Sequence, residues 1–373
     1  MNKGIASKSI VLGIITIMIG MSTFPMIRTV SAGDTIYVPD DYSTIQTAVN
    51  AAVSGDTIIV RDGLYIENVV VFKNNLIIRS ENGAGTTTVQ ASTSIEHVFT
   101  VTANYVKIIG FTVKRVYLPS GYGSGIFLNG ATNCEISKNT IDFNSHGIAL
   151  VTSNNNILTN NMIHNTGTGI SLRDSSNYNT VKDNTLESNT IGIYLYNLVS
   201  SGSHQNTITR NKMINNNYYG INLRQSNNNF IYLNDFINNF DNAYSESSTN
   251  NWNSPEQITY THSGITYMNY LGNFWGDYNG GDVDNDGIGD TPYTIGDDTD
   301  DYPLMQSFKN YIGGGNQPPV AEFSYLPENP KAGEQIILDA SDSIDYDGEI
   351  ILYSWDLDAD GTYDRYSLST QPY

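Results

Sequence analysis

The sequence predicts an all-β chain wound as a right-handed parallel β-helix, a solenoid, and three observations carry that expectation. A tetrapeptide, Gly-Ile-x-Leu, returns with its glycines at Gly125, Gly147, Gly169, Gly192 and Gly220, in steps of 22, 22, 23 and 28 residues. A second marker, Asn-x-apolar, keeps step with it at Asn139/Ile141, Asn161/Ile163, Asn184/Leu186, Asn211/Met213 and Asn234/Phe236. Composition agrees: only 15% of residues are charged, Tyr, Phe and Trp together number 41, and Asn fills 31 of the 125 positions from Asn129 to Asn253. Repeats at a fixed period of 20–50 residues announce units that cannot bury an apolar side alone and must stack.

Within each repeat, about three short alternating strands are separated by Asn/Gly turns. In Gly-Ile-x-Leu the Ile and Leu face one way and the residue between them the other. One coil per repeat therefore superposes Ile126, Ile148, Ile170, Ile193 and Ile221 in an inner column, with strands pairing in parallel between coils. Asn tolerates left-handed backbone angles at the turns, and in register its side-chain amides can bond from coil to coil. The long step contains Val199-Ser200-Ser201-Gly202-Ser203, a loop inserted in one repeat. Before the repeats, Ile58–Val60, Val69–Phe72, Leu76–Ile78, Val98–Val101 and Val106–Ile109 supply the first coils. A solenoid end must be covered. Ser43-x-x-Gln46 has the capping-box pattern, and Ile45, Val49 and Ala52 share a helical face, so a short capping helix is expected over Thr44–Ala52.

Charge and termini set the compartment. With 18 Lys+Arg against 38 Asp+Glu the formal charge is −20, which opposes nucleic acid as a partner because phosphate binding needs clustered cations. Residues 33–273 hold 17 acidic and 12 basic side chains, whereas 274–373 hold 21 and 3. The acid belongs to the C-terminal part. Lys3 and Lys8 precede an apolar run from Ile10 to Met21, and Val30-Ser31-Ala32 offers small residues for cleavage, so 1–32 is expected to be a signal peptide. No later segment is apolar enough to cross a bilayer, and the mature protein is expected to be secreted or held at the cell surface. One cysteine, Cys134, excludes an intramolecular disulfide framework and a cysteine-based zinc site.

The repeats resemble those of the NosD-type right-handed parallel β-helix, also described as carbohydrate-binding and sugar-hydrolase repeats. Two further stretches share that look: Thr35-Ile36-Tyr37-Val38-Pro39-Asp40-Asp41-Tyr42 continuing to Gly55-Asp56-Thr57-Ile58-Ile59-Val60, and Gly272-Asn273-Phe274-Trp275 through Asp290-Thr291-Pro292-Tyr293 to Asp301-Tyr302-Pro303-Leu304. The resemblance covers about 33–305 and is specific for fold rather than activity. Copper, attached to the family name, finds little in the sequence, since His97, His146, His164, His204 and His262 form no ligand pair at close spacing.

Asp282-x-Asp284-x-Asp286-Gly287-x-Gly289-Asp290 spaces oxygen ligands as a short loop around a hard cation, and calcium is the expected cofactor. Asp297, Asp298, Asp300 or Asp301 could complete the shell. The spacing returns at Asp356, Asp358, Asp360 and Asp364. Residues 306–317 read as a linker. From Pro318, Pro318-Pro319-Val320-Ala321, Leu338-Asp339-Ala340-Ser341-Asp342-Ser343 and Tyr353-Ser354-Trp355-Asp356 resemble the start of a PKD domain, an immunoglobulin-like β-sandwich. Residues 318–373 are shorter than the roughly 80–100 such a sandwich needs, so a partial domain is expected.

Stacking also builds columns on the outer face. Arg173, Tyr194, Tyr196, Asn222 and Arg224 are expected to share one patch, where aromatic faces suit sugar rings and guanidinium forks suit uronate carboxylates. Ordinary solvent-facing sheet residues are the plain alternative. For catalysis, Asp174 beside Arg173 is the nearest candidate, with Asp183 and Glu187, but these acids do not form a pair on one outward column. The expected function is binding of a polysaccharide or cell-envelope glycan by a non-catalytic, calcium-stabilised scaffold. A polysaccharide lyase or glycoside hydrolase is the second reading, and a structural envelope spacer the third.

Overall fold

In a computed structural model, residues 33–93, 95–115, 123–197 and 202–312 are described, with short pieces between 321 and 367. The signal segment and the loop with Asp356, Asp358, Asp360 and Asp364 lie outside the described residues. Three parallel sheets of nine, eight and nine strands run the length of a right-handed β-helix of about nine turns. Each coil gives one strand to each sheet. In the second, eight-stranded sheet, Ser124–Asn129, His146–Val151, Thr168–Arg173, Ile191–Tyr196 and Tyr219–Arg224 lie side by side. Ile126, Ile148, Ile170, Ile193 and Ile221 are in exact register there and fully buried. The inner column expected from the tetrapeptide is thus the spine of the core.

The repeat glycine has a separate cause. A Cβ on Gly169 would stand 2.5 Å from Leu186 Cδ2 and 2.6 Å from the Gly192 carbonyl oxygen, so only hydrogen fits where this strand packs against Leu186 of the third sheet and the next coil's backbone. The Asn marker builds a ladder. The side-chain oxygen of Asn161 accepts from Asn139 Nδ2 at 3.1 Å, and the relation repeats down Asn184, Asn211, Asn234 and Asn273 at 3.0, 3.0, 3.0 and 2.9 Å. A parallel ladder runs Asn156, Asn179, Asn206, Asn229, Asn250, and serines 153, 176, 203, 226 and 248 chain backbone N–H to hydroxyl. Apart from the half-buried Asn250, these amides are buried and replace water as partners for turn backbone that would otherwise be unsatisfied.

A helix, Ile45–Ala51, begins one residue later than the sequence pattern suggests. Its N-cap is Thr44, whose hydroxyl accepts from Thr47 N–H while Thr47 Oγ1 answers Thr44 N–H, so the box is Thr44/Thr47 and not Ser43/Gln46. Gln46 is used elsewhere: its amide oxygen accepts from Val70 N–H at 2.6 Å and its nitrogen donates to Val70 C=O at 3.2 Å. It thereby pairs with the terminal strand of the second sheet, Val69–Val71.

Beyond the regular coils, an antiparallel pair, Ile258–His262 with Ile265–Asn269, carries a second core of Leu233, Tyr260, Leu271, Ile288, Leu304, Phe308 and Tyr311. Residues Lys309–Ile312, expected within the linker, form a helical turn against it, and Asp235 accepts from Ser307 Oγ at 2.6 Å and Phe308 N–H at 3.0 Å. Of the sandwich expected after 318, the described pieces are two antiparallel pairs, Ser324–Leu326 with Ile337–Asp339 and Tyr353–Trp355 with Arg365–Ser367. Among the described residues no helix is long and apolar enough to cross a membrane.

Candidate functional site

The outward positions of the second sheet carry the chemistry. Phe127, Ala149, Ser171, Tyr194 and Asn222 stand opposite one another in successive coils, and Val151, Arg173 and Tyr196 form the neighbouring column. Adjacent strands are about 4.8 Å apart, so the first column extends for roughly 19 Å along the solenoid axis. Tyr194 and Tyr196 stack with ring centroids 4.1 Å apart and planes 22° from parallel. Burial raises the Tyr194 phenol above its ordinary pKa, while Arg224 beside it opposes the shift.

The five patch residues do not behave alike. Arg224 is engaged: its Nε lies 3.1 Å from Glu246 Oε2 and its guanidinium lies over the Tyr244 ring. With Asn197, Gln225, Glu246 and Ser247 it lines an open cleft of about 300 Å³. Asn222 is 2% exposed and its Oδ1 has no hydrogen-bond partner; Ser171 Oγ, fully buried one coil beyond Tyr194, has none either. Arg173 is half-buried with its Nε unpartnered, and none of the ion pairs among the described residues involves it.

At the other end of the face lies a group that sequence reading missed. His97 stacks on Phe127 at 4.1 Å and its Nδ1 accepts the Ser124 N–H at 2.8 Å. A neutral His97 ring therefore carries its proton on Nε2. Burial holds His97 down to about 4, helped by the positive charges of Arg115 and Arg173. His146, level with Ser124 one coil on, is held to about 4 by burial, then by Arg173 and His97. Arg115 is 6% exposed, donates from Nη1 to the Gly123 carbonyl at 2.8 Å, and keeps Nε and Nη2 unpartnered. No linear motif links these residues; they come from four different coils or turns.

The candidate acids are scattered. Asp174 is buried in the left-handed turn after Thr168–Arg173. Asp183 receives Arg210 Nε at 2.8 Å at the end of the first sheet's strand, and Glu187 sits on the third sheet. The structure therefore does not bring Asp174, Asp183 and Glu187 together on one face.

The aspartate loop is partly assembled. Carboxylate oxygens of Asp282, Asp284 and Asp286 lie within 4.8 Å of one another. Asp282 also accepts backbone N–H from Asp286 and Gly287, and burial with the adjoining Asp284 and Asp282 raises the Asp286 carboxyl. Asp290 instead accepts from Val283 N–H at 2.7 Å. Asp298 receives Ser245 and Trp252, and Asp300 closes the Asn ladder by accepting from Asn273 and Trp275, so neither joins the loop.

The family model described as periplasmic copper-binding protein (NosD) matches residues 49–280, more than half of the chain. No curated protein matches in sequence. Similar solved structures include an alginate lyase from Paenibacillus sp. str. FPU-7 (14% identity, 58% of this chain and 98% of that one, TM-score 0.44). Others are the mannuronan C-5 epimerase AlgE4 A-module of Azotobacter vinelandii (13%, 58% and 75%, 0.41) and the catalytic unit of a GH87 alpha-1,3-glucanase from Streptomyces thermodiastaticus strain HF3-3 (16%, 58% and 43%, 0.49). The chain thus spans under half of the glucanase unit.

The family description overturns calcium as the expected cofactor and names copper in its place. The described residues do not fit copper well. Copper favours imidazole and sulfur donors, yet the cluster with metal-binding geometry is three carboxylates. The positive charges of Arg115 and Arg173 act on His97, and that of Arg173 on His146, which opposes a cation there. His164 faces Asp142, His204 Nδ1 accepts from Asn227 N–H, and His262 stacks on Tyr311. Cys134 is buried, with its thiol against the Ala103 carbonyl.

Proposed function

From a chain that belongs to the NosD family, described as periplasmic copper-binding protein, we propose an exported, cell-surface solenoid that binds a carbohydrate polymer along the outer face of its eight-stranded sheet and does not cleave it. The observation that supports binding is the coincidence, on one face, of a stacked Tyr194–Tyr196 pair with polar atoms that lack partners, Ser171 Oγ and Asn222 Oδ1. Aromatic faces complement sugar C–H surfaces, and buried polar atoms left unpaired are costly unless a ligand meets them.

A binding role is favoured over hydrolysis because the acids do not form the carboxyl pair a glycosidase needs. Asp183 is bound by Arg210 and Glu187 belongs to another sheet. Arg173, Tyr194, Tyr196, Asn222 and Arg224 are the proposed contact residues, with Arg224 aligned by Glu246. Asp174 is read as a turn residue. The segment after 318, with its two antiparallel strand pairs, is read as a surface-display module.

Retention of the full chain on a panel of immobilised polysaccharides tests the reading. Tyr194→Ala and Arg224→Ala are expected to weaken retention of whichever polymer binds. Retention unchanged in both variants would remove the face from the binding role. Release of reducing ends or unsaturated products by the wild type would move the chain to the enzymes.

A further inference from the structure

Arg115 and Arg173 present an unusual electrostatic arrangement. The chain carries a formal charge of −20, yet the positive charge of both guanidiniums acts on His97 and, among the described residues, neither forms an ion pair with a carboxylate. Arg115 and His97 meet at adjoining residues, the Gly123 carbonyl and the Ser124 N–H. Arg115 is 94% buried by its 6% exposure, and two of its three nitrogens have no hydrogen-bond partner. A charge removed from water without a counter-charge is costly, and an anion bound beside it would offset that cost.

The surrounding donors point the same way. Arg115 Nε and Nη2, Arg173 Nε and the Ser171 hydroxyl are all unpartnered, and a neutral His97 offers Nε2–H because its Nδ1 is already taken by Ser124. Donors without acceptors recognise an oxyanion, not a metal cation. Phe127, stacked on His97, provides an apolar wall. Ser171 is level with Tyr194 in the next coil, so this group continues directly into the tyrosine pair. Arg224, by contrast, is already paired with Glu246 and has less to gain from an anion.

We propose that Arg115, Arg173, His97 and Ser171, bordered by His146 and Phe127, form a carboxylate-binding subsite, so that the polymer bound by this face is an acidic polysaccharide built from uronic acids. The inference rests on the glycan-binding reading of the same face and adds the class of sugar. Guanidinium forks bind carboxylate bidentately. Sulfate and phosphate esters share the oxyanion chemistry, and the experiment separates them.

The test uses the full chain and measures affinity for polygalacturonate, for its carboxyl-reduced neutral form, and for dextran sulfate. Wild type is expected to bind polygalacturonate at least tenfold more tightly than the reduced polymer. In Arg173→Gln and Arg115→Gln that ratio is expected to fall towards one. A general loss of structure would lower both affinities together, and circular dichroism identifies it for the buried Arg115 variant; Arg173, half-buried, serves as the second variant. Equal binding of the acidic and reduced polymers by wild type overturns the subsite while leaving the glycan reading standing. Binding of dextran sulfate without polygalacturonate also overturns the carboxylate assignment. No retention of any polysaccharide rejects both readings.

Discussion

Asn184 sits in the middle of the longest amide ladder, and its replacement by Ala tests what holds the coils together. The residue is 1% exposed. Its Oδ1 accepts from Asn161 N–H at 2.9 Å and Asn161 Nδ2 at 3.0 Å. Its Nδ2 reaches the carbonyls of Leu158 and Lys182, both at 2.9 Å, and Asn211 Oδ1 at 3.0 Å. Two amide hydrogens serve three acceptors, so about four bonds are made at full strength. At a net ~1 kcal/mol each, Asn184→Ala should cost about 4 kcal/mol, falling towards ~2 kcal/mol if water enters the gap. The backbone at 184 is not left-handed, unlike Asp183, so Ala adds no strain of its own. Urea unfolding of the full chain, followed by circular dichroism, measures the loss. Asn217→Ala, at an exposed position, is the control and should change stability by less than ~0.5 kcal/mol. Equal losses for the two variants would refute the ladder as a source of stability.

Other perturbations read other parts of the molecule. Gly169→Ala should destabilise by ~3 kcal/mol or more, because its Cβ would overlap the Gly192 carbonyl oxygen and backbone cannot yield cheaply; a wild-type melting temperature would contradict the packing argument. Burial pushes the Asp300 carboxyl from the usual carboxylate range up to about 7, against donors from Asn273, Trp275 and Tyr302 that pull it down. The folded state therefore binds the proton more tightly than the unfolded chain, and this group's contribution is complete in acid and declines as pH rises through about 7. Asp300→Asn keeps the acceptor for Asn273 and Trp275, so the difference in melting temperature between wild type and variant should change between pH 4 and 8; a constant difference would show that Asp300 does not titrate there. Copper(II) added to the full chain should give an electron paramagnetic resonance spectrum without imidazole nitrogen splitting. A nitrogen pattern lost in His97→Gln or His146→Gln would reverse the argument that Arg115 and Arg173 keep cations away.

What could be read from the sequence followed from contacts that repeat. Ile126 to Ile221 and Asn139 to Asn234 recur because each coil meets the next through the same atoms, so a periodic core leaves a periodic trace. The outward columns were legible as positions, since register follows from the same period. Their chemistry was not, because it depends on partners outside the repeat: Glu246 takes Arg224, Arg210 takes Asp183, and Asp300 turns to the Asn ladder instead of a metal loop. The N-cap shifted from Ser43 to Thr44 for a similar reason, since Glu67, 22 residues away, accepts the Ile45 and Gln46 N–H groups and fixes where the helix starts. His97 and Arg115 precede the first Gly-Ile-x-Leu unit and belong to no marker, yet they meet the two residues before its glycine, Gly123 and Ser124, because the early coils continue the stack. No repeat marker could have reached them, because each of their contacts, Arg115 with the Gly123 carbonyl and His97 with the Ser124 N–H, is made once in the chain.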